Sequence, residues 1–326
     1  MKIFFIGQQN NNASPAVVNR ELLKVLPADK YTAIYNGHGI RRRLSSYLNI
    51  LRCDRMLISS IYISSSEVRL IRLLGKKIVY LMHGSYTMET GLKHPTEAMV
   101  LRYADKIVSV SDVHSRMIKD EFPQYADKVH TWFNGVDWSE IDSIRKNFDI
   151  SERDKNKIIL FGGGRHMKGN LEVCKAVNQL NEEKGLNLHV DVYGEYNDND
   201  FSKQIAEIPC VNYKPLIPRE RINHELAKGN LFIVNSSFET FSLALIDAIG
   251  VGCNVLFSQY VGAKDVINGK KESDIILEPN NIEELKNKID FVLSHPNNER
   301  LNASIDREKT SWKSRASELD SIVSAV

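Results

Sequence analysis

Lys157-Ile158-Ile159-Leu160-Phe161-Gly162-Gly163-Gly164-Arg165-His166-Met167-Lys168-Gly169 is the stretch whose reading decides the fold. A short apolar run passes directly into a glycine turn, and a helical pattern over 169–184 follows. Such a run reads as a strand buried on both faces, the kind found in parallel sheets wrapped by helices. The alternation extends in both directions from here. Upstream it predicts strands near 2–7, 31–35, 54–59, 77–82, 105–110 and 128–133, with helices at 15–26, 40–52, 65–74, 96–103 and 112–121. Downstream it predicts strands near 157–162, 187–193, 209–213, 230–235, 253–257 and 274–277, with helices at 169–184, 200–207, 218–227, 242–251 and 281–294. Two βα series of similar length imply an α/β chain of two Rossmann-like domains, not one large sheet. The expected bounds are 1–140 and 141–307, with a closing helix in 308–326 that could pack on the first domain. The polar segment from Asn134 to Asn156, opened by the turn signal Asn134-Gly135, is expected to join them. Domains of this kind that face each other bind ligands in the cleft, beyond the carboxyl ends of the strands.

Composition agrees with a globular enzyme-sized chain. Its 326 residues are 42% apolar and 26% charged. Residues 1–135 hold 19 Lys and Arg against 11 Asp and Glu, whereas 136–326 hold 24 against 30. A basic front and an acidic rear suggest two bodies with different partners. Cys53, Cys174, Cys210 and Cys253 have no C-x-x-C spacing and read as buried thiols in a reducing compartment. The opening run Ile3-Phe4-Phe5-Ile6 is too short for a secretion signal, and no run approaches a membrane span. A cytoplasmic protein is expected.

The chemistry-bearing residues follow glycine turns and strands. Glu239 and Asp247 are eight positions apart. With a helix starting near Ser242, the two acids stand at most about 12 Å apart along it. That spacing suits a polyhydroxylated ligand gripped at both ends, with an anion at the helix N-terminus between them. Arg165 offers a planar fork and Lys168 a point charge for phosphate oxygens. Together they point to a nucleotide-sugar site; an amphipathic helix after an ordinary glycine turn is the plainer alternative. A Walker loop is excluded because Asn170-Leu171 follow Gly169. A dinucleotide fingerprint fails because Met167 occupies its third glycine position. Asp198-Asn199-Asp200 has D-x-D form, but Asn and Asp clusters more often mark turns and caps, and no metal is expected.

Further pieces occur in a telling order. They are Gly7, His83-Gly84, Val108-Ser109-Val110-Ser111, Asn134-Gly135-Val136-Asp137, the Arg165–Gly169 turn and Val192-Tyr193-Gly194. Ser237-Phe238-Glu239, Val261-Gly262-Ala263 and Leu277-Glu278-Pro279-Asn280 complete the series. The ordered set resembles the family 4 retaining glycosyltransferases of the GT-B fold over nearly the whole chain. The resemblance implies that Arg165 and Lys168 hold a donor diphosphate and that Glu239 binds sugar hydroxyls. It implies that backbone N–H groups of Thr240, Phe241 and Ser242 approach the sugar or phosphate, and that Asp247 accepts from the ribose. Gly7 and Gly164 would allow close backbone approach to the donor. The loop at Lys214-Pro215-Leu216 would meet the base, and His83 would lie near the transferred sugar. Three features depart from the family pattern: Asp247 replaces a glutamate, the Arg165–Lys168 spacing is shorter, and the first turn, Gln8-Gln9-Asn10-Asn11-Asn12, is polar.

The implied activity is metal-independent and cofactor-free. A sugar moves with retention from a nucleotide diphosphate-sugar to a hydroxyl of a carbohydrate or lipid-linked acceptor, in cell-envelope polysaccharide or glycolipid synthesis. The rival readings are an epimerase or phosphorylase on the same fold, or a non-catalytic sugar-nucleotide-binding protein. Around Ile40–Arg52 the apolar positions 40, 44, 47, 48 and 51 repeat at helical spacing beside Arg41, Arg42, Arg43 and Arg52. Such a helix either lies on anionic lipid at the inner face of a membrane or packs its apolar stripe inside the fold. Nucleic acid is not expected, because no recognition motif and no cluster of stacking aromatics accompanies the basic half.

Overall fold

The computed structural model describes residues 1–11, 13–35, 39–196 and 200–326. They divide into two units, Met1–Gly135 with Glu308–Val326, and Val136–Arg307. The first holds β1 (Ile3–Ile6), β2 (Tyr31–Ala33), β3 (Arg55–Ser59), β4 (Lys77–Met82), β5 (Lys106–Ser109) and β6 (Val129–Thr131). Between them run α1 (Ser14–Val25), α2 (Gly39–Arg52), α3 (Ser65–Leu73), α4 (Tyr86–Thr90), α5 (Pro95–Tyr103) and α6 (Asp112–Glu121). The strands form one parallel sheet in the order β2-β1-β3-β4-β5-β6.

The second unit opens with α7 (Trp138–Asn147), then β7 (Asp154–Phe161), α8 (Asn170–Lys184), β8 (His189–Tyr193), α9 (Asp200–Ala206) and β9 (Val211–Lys214). It continues through α10 (Arg219–Lys228), β10 (Gly229–Val234), α11 (Leu243–Val251), β11 (Asn254–Ser258), β12 (Ile275–Ile276), α12 (Ile282–Ser294) and α13 (Asn298–Ala303). Its parallel sheet has the order β12-β11-β10-β7-β8-β9. A short α14 (Arg307–Thr310) and a longer α15 (Trp312–Ser324) end the chain.

Strands form where the apolar runs are because both sheet faces are covered. Phe4, Ile6, Met56, Ile58, Ile78 and Tyr80 meet helices on one side of the first sheet. Their strand neighbours Ile3, Phe5, Leu57, Val79 and Leu81 are also buried. Each side chain removed from water in this way contributes about 1.5–3 kcal/mol. In the second unit Ile158, Leu160, Val190, Val192, Leu231 and Ile233 meet Val173, Val177, Leu285 and Ile289 of α8 and α12.

Two findings correct the expected organisation. The stretch from Asn134 to Asn156 is not a bare linker, because α7 lies within it. Asp137 caps α7 by accepting from Glu140 N at 3.1 Å, and Trp138, Ile141 and Ile144 are buried. The basic helix α2 does not pack its apolar stripe inside the fold. Ser46 and Ile50 are its buried residues, while Ile40, Leu44, Leu48 and Leu51 are 74%, 57%, 48% and 56% exposed. The closing helix α15 packs on α1 of the first unit. Asp320 accepts there from Tyr31 Oη at 2.7 Å and pairs with Lys30 at 2.6 Å. No helix among the described residues is long and apolar enough to cross a membrane.

Candidate functional site

In the second unit β7, β8 and β9 are added in one direction and β10, β11 and β12 in the other, so β7 and β10 are neighbours where the order reverses. Loops diverge from such a switch point and leave a crevice at the carboxyl ends of the strands. The loop after β7 carries Arg165 and Lys168, and the loop after β10 carries Glu239. Their side chains meet in an ion pair between Lys168 Nζ and Glu239 Oε2, with 16% and 18% of the two side chains exposed.

Local contacts hold these loops in place. The turn His166–Lys168 is a single 3-10 turn, which brings Lys168 back over Gly162 despite the short spacing from Arg165. Gly162 has φ +106°, and a β-carbon there would stand 2.8 Å from Lys168 Cγ, so only glycine fits. Arg165 is exposed and folds back, donating from Nε to Gly162 O at 3.3 Å. Asn170 Nδ2 donates to Phe161 O at 3.2 Å and Gly163 O at 2.8 Å, clamping the glycine turn. Gly164 is packed against Ser202. Ser237 N donates to Met167 O at 2.9 Å, tying the Glu239 loop to the Lys168 loop. Gly262 N donates to Glu239 O at 3.0 Å, and Ala263 N to Phe241 O at 2.7 Å.

Phe241 is buried, Thr240 is half-buried, and Ser242 stands ahead of α11 with φ +81°. A serine there holds left-handed backbone at a cost of about 1–2 kcal/mol. Asp247, expected at the ribose, lies buried on α11. It is 3% exposed and ion-paired with Arg219 of α10 at 2.6 Å. Burial raises its pKa even against the Arg219 charge. Glu140 joins the same cluster by accepting from Asn223 Nδ2 at 3.0 Å. Leu216 is exposed at the rim of a cavity of about 680 Å³ lined by Gly194, Glu195, Tyr196, Tyr213, Lys214 and Pro215. Tyr196 and Tyr213 meet edge to face at 5.3 Å, and Tyr213 Oη donates to Glu195 O at 3.0 Å. Asp198 and Asn199 of the D-x-D sequence lie outside the described residues, and Asp200 opens α9.

The first unit has its own switch point, between β1 and β3. Gly7 follows β1, and a β-carbon on it would stand 2.6 Å from Asn19 Nδ2 and 2.9 Å from Ser59 Cβ. Asn19 Nδ2 donates to Gln8 O at 2.8 Å, which turns Oδ1 toward Ser59. Ser59 Oγ donates to that oxygen at 2.5 Å. Its lone pairs are then left for His83 Nε2 at 3.0 Å, so His83 carries its hydrogen on Nε2. His83 follows β4 and is 8% exposed; burial lowers its pKa to about 4, which keeps the ring neutral. His114 is pushed to about 3 by burial and by His83.

Sequence reasoning did not find Asn19, Ser59, Asn170, Arg219, Tyr196 or Tyr213. Asn19 carried a signal, since a polar residue stands there on the buried face of α1. Arg219 carried none, because its pairing with Asp247 depends on how α10 and α11 pack.

Comparisons with known proteins give the family of the chain. Residues 142–310, just over half of the chain, match the model described as glycosyl transferases group 1, and residues 9–140 match glycosyltransferase family 4. The chain belongs to the group 1, family 4 glycosyltransferases. An uncharacterized glycosyltransferase of Methanocaldococcus jannaschii is 25% identical over 77% of this chain and 69% of its own length. The structure of Anabaena HepE in complex with UDP superposes with a TM-score of 0.72 at 15% identity over 100% of both chains. Sucrose-phosphate synthase of Thermosynechococcus elongatus superposes at 0.72 with 14% identity, covering 100% of this chain and 98% of its own. The two six-stranded parallel sheets are those of a GT-B glycosyltransferase.

Proposed function

We propose that this glycosyltransferase moves a sugar, with retention, from a nucleotide diphosphate-sugar to an acceptor hydroxyl. The second unit holds the donor and the first the acceptor. One observation carries the reading: a cation and a carboxylate from two different loops, Lys168 and Glu239, meet at the switch point of the second sheet. Arg165 stands beside them on Gly162. HepE has been solved with UDP, with UDP and glucose, and with UDP-glucose, which supports a donor of this class.

In this reading the diphosphate displaces Glu239 from Lys168 and takes both cations, which frees the carboxylate for sugar hydroxyls. As the bond from the anomeric carbon to the diphosphate oxygen breaks, the acceptor oxygen bonds to the same face. The acceptor proton passes to the departing phosphate oxygen. Arg165 and Lys168 stabilise the charge that develops there, a role that needs no metal ion. Neutral His83, fixed by Ser59, is the polar group that the first unit offers on the acceptor side. The base occupies the tyrosine-lined cavity beside Leu216, and Arg219, anchored by Asp247, is the reachable member of the ribose pair. Cytoplasmic placement, a carbohydrate or lipid-linked acceptor in cell-envelope synthesis, and peripheral contact with an anionic membrane belong to the same proposal.

A thermal-shift series with UDP-, GDP-, ADP- and dTDP-sugars tests donor binding, since a ligand of the folded state raises Tm. One base should give a shift at micromolar to millimolar concentration; no shift with any of the four removes the donor assignment. Donor turnover then separates the rivals. Isomerised or phosphorolysed sugar without acceptor would indicate an epimerase or phosphorylase, and binding without turnover on any acceptor a non-catalytic protein. Arg165→Ala should cut turnover roughly 100-fold or more with Tm unchanged, because its side chain is exposed.

A further inference from the structure

The apolar stripe of α2 faces away from the fold that carries it. At 3.6 residues per turn, Ile40, Leu44, Leu48 and Leu51 fall within an arc of about 80° and run roughly 16 Å along the axis. Ser46 and Ile50, which anchor the helix, lie on the far side of that axis. Exposed Arg41 and Arg52 flank one edge of the stripe and exposed Arg43 the other. Arg42 is engaged with the fold, donating to Tyr62 O at 2.8 Å with its guanidinium 4.6 Å from the Tyr62 ring. No acidic residue occurs from Gly39 to Cys53. Lys76 Nζ donates to Leu51 O at 2.8 Å, which holds the turn after α3 beside the end of α2. The end of α3 adds Leu73, 83% exposed, with Leu74 just beyond it, and α3 adds exposed Arg69 and Arg72.

We infer that α2, with Leu73 and Leu74, is a docking face for a bilayer surface bearing anionic headgroups. An apolar stripe bordered on both edges by arginines matches the acyl boundary with the leucines and the headgroup phosphates with the guanidinium groups. A protein partner that buried the stripe would need acids to meet both rows of arginine, whereas an anionic leaflet supplies that charge everywhere. The inference deepens the membrane part of the proposed function, yet it stands on surface geometry alone.

Flotation of the full chain with vesicles tests it, using phosphatidylcholine alone and phosphatidylcholine mixed with phosphatidylglycerol. Binding is expected to the anionic vesicles, weakened by salt. Arg41→Gln or Arg43→Gln should each weaken it roughly five-fold, and the Leu44→Ser, Leu48→Ser pair at least about ten-fold. The thermal shift produced by whichever nucleotide-sugar binds the parent, read beside the unliganded Tm of every variant, shows whether the fold and the donor site are intact. It also separates failure of this inference from failure of the donor reading. Absence of binding to anionic vesicles, or equal binding by parent and leucine variants, would overturn the inference. So would self-association in analytical ultracentrifugation that the leucine pair abolishes, because a second copy would then be the occupant.

Discussion

Ser60 and Ser242 are the non-glycine residues with positive φ among the described residues, and each follows a strand at a switch point or leads the helix beside one. Strain of this kind persists where the surroundings over-determine the backbone. At Ser242 glycine would remove about 1–2 kcal/mol of steric cost and return part of it as chain entropy. Ser242→Gly should therefore raise stability by about 0.5–1 kcal/mol and lower turnover, as the start of α11 loosens. Urea midpoints and donor-turnover rates read the two effects; a gain in stability with unchanged turnover would make the strain incidental. His83 and His114 give a second prediction. Their folded pKa values of about 4 and about 3 lie below the usual 6.5, so the unfolded chain binds protons first as pH falls. The protein keeps its full stability above about pH 6.5 and loses about 2 kcal/mol per histidine by pH 5. His114→Gln should flatten that decline, as urea midpoints across the range would show.

At the scale of the element, the strands were legible because a parallel sheet covered on both faces needs continuous apolar runs, and these are punctuated by turns. Helix α7 was hidden by the polar residues around it. Its signal was present all the same, as Trp138, Ile141 and Ile144 at helical spacing behind the capping Asp137. The site was legible in part. Arg165, Lys168 and Glu239 announce themselves by type and place, but only the adjacency of β7 and β10 brings residues 71 apart into contact. The pairing of Asp247 with Arg219 was not legible, because it is a matter of how α10 and α11 pack. Helix α4, directly after His83-Gly84, was missed because it has no buried residue to give it a pattern. It is held from outside by Glu97 of α5, fully buried, whose carboxylate accepts from Tyr86 N at 3.2 Å, Thr87 N at 3.1 Å and Thr87 Oγ1 at 2.7 Å. Glu97→Ala leaves three donors unmet and should cost about 2–4 kcal/mol. The loss of amide protection should be greatest at 85–91, seen by hydrogen exchange; unaltered exchange there would place the Glu97 contribution elsewhere.

For the whole molecule, the chain enters the second unit after Gly135 and returns to the first at Glu308, so the first unit is closed by residues that follow the second in sequence. The returning helix closes a buried surface. Trp132, fully buried, donates from Nε1 to Arg315 O at 2.8 Å. Trp312 covers Gly135, where a β-carbon would stand 2.8 Å from its Cα. Arg55 Nη1 donates to Val323 O at 2.6 Å, and Lys30 reaches Asp320 and Ser324. Trp312→Ala removes the largest apolar side chain of the returning helix and should cost the first unit about 3–5 kcal/mol. The core of the second unit, built from α8, α12 and their strands, contains none of these residues. Urea unfolding of the variant should therefore separate into two transitions, with amide protection lost early in α1, β6 and α15 and retained in α8 and α12. A single transition shifted as a whole would mean that the two units unfold as one cooperative body. A second transition lying at the parent's midpoint would mean that the second unit sets its own stability, and that the closing helix serves only the unit to which it returns.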